Sequence, residues 1–76
     1  SDLTIKYTAE STFKDTDITI NLNVDDKYYD TRTISLNDAK NINNINFGDL
    51  IIDNKINVTE FNSILKTTTT GYILWN

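Results

Sequence analysis

The chain has 76 residues and carries 11 Asp+Glu against 7 Lys+Arg, a formal net charge of −4, which bounds it to a single small domain over 1–76. It contains no Cys, His, Met or Pro and only two Gly. Within this chain that excludes disulfides, thiolate nucleophiles, Cys- or His-ligated metals and any Ser-His or Cys-His pair, so a non-enzymatic protein is expected.

The first half alternates. Leu3, Ile5, Tyr7, Ala9 and Phe13 hold odd positions, and Ile18, Ile20, Leu22 and Val24 hold even ones, with Thr, Asn and charged residues between them. A period of two marks strands with one face buried, and β-branched Thr and Ile suit a pleated surface. Asp25-Asp26-Lys27 breaks the run, so 17–24 and 28–36 read as a hairpin joined by acids that tolerate turn geometry. Asp30 and Arg32 share the phase of Ile34 and Leu36, which places the start of the second arm at an edge or rim, where inward charge discourages further pairing. Tyr28 and Tyr29 are adjacent and face opposite ways on a strand, so one of the two is expected to be exposed.

Residues 37–46 are Asn-rich and poorly periodic and read as a loop, with Asn37 as a cap should one helical turn form there. Phe47 to Val58 reads as a second hairpin, turning at Asp53-Asn54 with Asn54 in positive φ. In 59–66, Phe61, Ile64 and Leu65 have helical spacing behind a Thr59 cap, and a short helix competes there with a continuing strand. Thr67 to Thr70 is extended or loop. Gly71 to Trp75 reads as a last strand, with Trp75 docked because so much apolar surface has little use on a loose end. The expected fold class is all-β: a small β-sandwich or partly open barrel of five to seven strands, with at most one short helix near 59–66.

Asp49 to Glu60 resembles a degenerate calcium loop of EF-hands and dockerins. On that resemblance Asp49, Asp53, Asn57 and Glu60 fall at ligand positions, while Ile51 stands where an oxygen ligand is required and Asn54 replaces the glycine of the sharp turn. Those departures favour the plain hairpin, and no metal or cofactor is expected. Gly71-Tyr72 resembles the Gly-Tyr of late strands in prealbumin-like modules of bacterial surface proteins, but Leu65 and Lys66 occupy the stretch where those modules carry a Glu. The acid pairs Asp15/Asp17 and Asp25/Asp26 read as solvated turn residues, since a glycosidase needs two carboxyls across a cleft in a larger scaffold.

The seven basic residues are scattered singly, which argues against direct nucleic-acid binding. No apolar run is long enough to insert in a membrane. The chain opens on Ser without any Met, the expectation being a processed chain or an excised domain. Residues 1–38 hold eight acids and four bases and residues 39–76 three of each, so the whole excess lies in the first half. The leading expectation is a structural or protein-interaction module of a larger assembly such as a virion or bacterial surface protein. It would be extracellular or at a virion surface, with a protein or copies of itself as partner and Asp25, Asp26, Tyr28 and Tyr29 as interaction candidates. The alternatives are a compact acidic inhibitor of a basic host protein and a carbohydrate-binding module using Tyr28, Tyr29, Tyr72 and Trp75.

Overall fold

The computed structural model of the chain describes residues 3–58 and 66–75, with side chains over 6–58. In chain order the elements are β1 (Leu3–Lys14), β2 (Asp17–Val24), β3 (Lys27–Ser35), α1 (Leu36–Asn41), β4 (Asn44–Asn46), β5 (Ile51–Asp53) and β6 (Lys66–Trp75). The fold is mostly β. A four-stranded antiparallel sheet has the order β3-β2-β1-β6, and β4 and β5 form a second, two-stranded sheet. The larger sheet runs from β3 to β6 without joining its ends, so no barrel closes among the described residues.

The alternation in the sequence becomes one buried face. Ala9 pairs with Leu22, Ser11 with Ile20 and Phe13 with Ile18, so the odd positions of β1 and the even positions of β2 share a side of the sheet. Ile18, Ile20 and Leu22 have no exposed surface, and Tyr7, Ala9 and Ser11 are buried beside them. The turns suit their acids. Asp25 and Asp26 both hold positive φ, at 53° and 63°, as the two central residues of a type I′ hairpin must. Asp15 opens the β1–β2 turn at φ 58°.

The second layer comes from the stretch read as loop and from a hairpin one step earlier than expected. Ser35, not Asn37, caps α1: its Oγ accepts a hydrogen bond from Asp38 N at 3.0 Å. Asn44 to Asn46 then pairs with Ile51 to Asp53, so the chain turns at Phe47 to Leu50 rather than at Asp53-Asn54. Gly48 holds φ 84° in this turn, a left-handed backbone that a residue without Cβ adopts without strain. Asn54 is not among the positive-φ residues. The described helix therefore lies at 36–41. The helix expected near 59–66 falls on residues 59–65, outside the described ones, and Lys66 begins β6.

Ala39, Ile45, Phe47, Leu50 and Ile52 of this layer join Tyr7, Ala9, Ile18, Ile20 and Leu22 in one core. Asn54 ties the layer together. Its Nδ2 donates to Ala39 O at 2.9 Å and Ile42 O at 3.0 Å, satisfying carbonyls at the end of α1, and its Oδ1 accepts from Ile56 N at 3.1 Å.

Two stability outcomes follow from this packing. Leu22→Ala should cost about 2–4 kcal/mol in urea unfolding, because a fully buried side chain leaves a cavity in a small core. Asn54→Ala should cost about 1–3 kcal/mol, and Asn54→Asp should not recover the loss, since a carboxylate has no donor for the two carbonyls. A loss below about 0.5 kcal/mol in either alanine variant would contradict the packing described.

Candidate functional site

A sheet with one face in the core presents the other to solvent, and here that face is polar throughout the described side chains. Thr8, Glu10 and Thr12 of β1, Thr19, Asn21 and Asn23 of β2, and Tyr28, Thr31 and Thr33 of β3 are all half-buried or exposed. Their registers place them in rows across the strands, Thr12 beside Thr19 and Thr33, and Glu10 beside Asn21 and Thr31. The β2–β3 half is ordered by side-chain hydrogen bonds. Thr31 Oγ1 donates to Asn21 Oδ1 at 2.8 Å and so accepts from Tyr28 Oη at 3.0 Å, and the Thr19 and Thr33 hydroxyls lie 3.3 Å apart.

The four interaction candidates sit at one end of the four-stranded sheet. Asp25 and Asp26 are exposed in the β2–β3 turn. The register slips between Leu22 and Asn23, so that Leu22 opposes Asp30 and Asn23 opposes Tyr28, leaving Tyr29 as the extra residue of a bulge. Tyr28 is consequently 66% exposed on the polar side, while Tyr29 is half-buried and packs against the core. Of the sugar-platform residues, Tyr28 and Tyr29 lie on one edge strand and Tyr72 and Trp75 on the other, three strand spacings or roughly 14 Å apart. Trp75 stands opposite Leu3 in the register, and its side chain lies outside the described ones.

The described calcium-loop candidates lie along the β4–β5 hairpin and just beyond it. Asp49 is exposed in the β4–β5 turn, Asp53 is exposed at the end of β5, Asn57 is exposed beyond it, and Glu60 lies outside the described residues. Residues 51–53 are a paired strand rather than part of a continuous loop. No group of three or more Asp or Glu is positioned to hold a metal ion among the described residues. A cavity of about 10 Å³ under the hairpin, lined by Ala9, Ser11 and Ile52 among others, has the room of a single water.

A cluster that sequence reasoning placed only as rim charges links the two layers. Arg32 pairs with Asp30 at 2.8 Å, donates from Nε to Asn46 O at 3.1 Å, and stands 5.7 Å from the centre of the Phe47 ring. The phase of Asp30 and Arg32 signalled inward charge. The partner, Phe47, had no signal because its position depends on how the hairpin folds over β3. No helix among the described residues is long and apolar enough to cross a membrane. No protein-family model, curated protein or solved structure matches the chain.

Tyr7 is buried in the core and lies within reach of the charge of Asp53. Burial raises its pKa above the ordinary 10.0, and the negative charge of Asp53 raises it further. With the folded value raised, the unfolded chain loses this proton first, so the stability linked to it is complete below about pH 10 and is lost as pH rises through the folded value. Alkaline unfolding followed by circular dichroism should therefore show a steeper loss in the native chain than in Tyr7→Phe. Equal slopes would contradict this environment for Tyr7.

Proposed function

We propose that the chain is a non-enzymatic structural or protein-interaction module of a larger extracellular or virion-surface assembly, its two layers forming a minimal β-sandwich. The observation that carries this reading is the outer face of β1 to β3, polar over its described side chains and cross-linked between β2 and β3 by side-chain hydrogen bonds. Such a face offers preorganised donors and acceptors to another protein surface at little ordering cost. The small size supports it too, since a domain of 76 residues gains stability by packing on neighbours.

The acidic-inhibitor reading is weaker on geometry. Asp15 and Asp17 lie at one end of β2 and Asp25 and Asp26 at the other, about 27 Å apart along an eight-residue strand. Two small clusters at that separation are screened from each other at a Debye length of about 10 Å and do not sum into one patch.

Sedimentation of the chain at low and high concentration, each at low and high salt, tests the reading. Association that grows with concentration and survives high salt is the expected result. Salt-sensitive capture by a basic protein would favour the inhibitor, and quenching of tyrosine or tryptophan emission by added oligosaccharides would favour the carbohydrate module.

A further inference from the structure

The two ends of the four-stranded sheet differ. β3, at one end, carries a bulge at Tyr29 and has Asp30 and Arg32 in register with the buried Leu22 and Ile20. A bulge and inward-phased charges are the devices by which natural sheets refuse further strands. β6, at the other end, has none of them. Its ten residues contain no proline and one charge, Lys66, and they pair in unbroken register with β1. Among the described residues β1 is its only neighbour, so one row of backbone N–H and C=O groups along β6 is without a strand partner.

We infer that this edge pairs with β6 of a second copy, antiparallel about a two-fold axis, so that two four-stranded sheets become one of eight strands. The inference rests on the interaction-module reading and supplies its partner. The sequence of β6 is complementary to its own reverse. With the axis at Gly71, Thr70 falls opposite Tyr72, Thr69 opposite Ile73, Thr68 opposite Leu74 and Thr67 opposite Trp75. Gly71 then faces its own copy on the axis, and the four pairs beside it each set a β-branched Thr against an aromatic or aliphatic residue, the kind of cross-strand pair that stabilises sheets. An axis at Thr69 instead sets Thr68 against Thr70 and leaves Ile73 to Trp75 without opposite residues on β6.

Charge agrees with this register. The stretch 61–76 contains no acid, so the net −4 of the chain lies away from the proposed seam. The two Lys66 residues would stand roughly 34 Å apart, well beyond the screening length. Because β3 is guarded, the four-stranded sheet has one open edge among the described residues, and pairing through it closes as a dimer rather than growing into a fibre.

The test is sedimentation equilibrium of the intact chain and of two single variants, Thr68→Pro and Thr69→Pro. Successive N–H groups of a strand point to opposite edges. One proline therefore removes a bond to β1, and the other removes only an outward N–H and leaves the fold intact. The native chain should be dimeric, and the variant that keeps the native melting temperature should dimerise at least tenfold more weakly. If both prolines unfold the chain, amide exchange decides: alternate amides of 67–75 in the native chain should gain protection as concentration rises. A monomer at all concentrations, an unchanged dimer in the folded variant, concentration-independent exchange, or fibres would each overturn the inference. Association that survives the edge proline would leave the module reading standing and move its contact elsewhere.

Discussion

Ile18, Ile20 and Leu22 lose all their exposed surface, and the rest of the molecule is organised by what covers that row. A chain of this size has apolar residues enough to bury one side of a four-stranded sheet. The cover is assembled from pieces too short to stand alone, a six-residue helix and two three-residue strands. They hold because Ala39, Ile45, Phe47, Leu50 and Ile52 reach the same core as the row beneath them. The dependence runs both ways, since without that cover the apolar face of β2 would meet water. Asn54 and Arg32 are the polar ties that keep the cover in place, one at the end of α1 and one across the edge strand onto Phe47.

Burying one face leaves the other to carry any surface function. Thr, Asn and Tyr on the outer face satisfy one another between β2 and β3 while remaining accessible. The bulge at Tyr29 matters for both layers. It turns one tyrosine of an adjacent pair toward the core and leaves the other prominent on the polar side, beside the exposed acids of the β2–β3 turn. The charged residues of this turn and of the β1–β2 turn answer a backbone need, because Asp tolerates positive φ where glycine is scarce. Their placement is thus explained before any binding role is invoked.

The long strands give the molecule its shape. β1 has twelve residues and runs past the end of β2, so that Leu3 to Ile5 pair with β6 alone in the sheet. At about 3.4 Å per residue β1 spans roughly 40 Å, close to the 43 Å long axis of the chain. A ribbon of two strands is marginal in water and gains from further strands or a covering layer.

The sequence by itself determined the parts whose pattern is local. Alternation over β1 and β2, the Asp25-Asp26 turn, the hairpin it closes and the inward charges of Asp30 and Arg32 were all legible, because a strand's period and a tight turn's φ values are set by adjacent residues. Only the tertiary structure decided the second layer. In Leu50-Ile51-Ile52 the run is uniformly apolar, yet Leu50 and Ile52 are buried and Ile51 is 57% exposed, because pairing with β4 fixes which side meets the core. Asn54 reads as a turn residue, and its bonds to Ala39 and Ile42 exist only once α1 and the end of β5 come together. The strand of three residues at 44–46 is too short to show a period. Its identity follows from a partner further along the chain, and a partner at a distance is what a linear pattern does not contain.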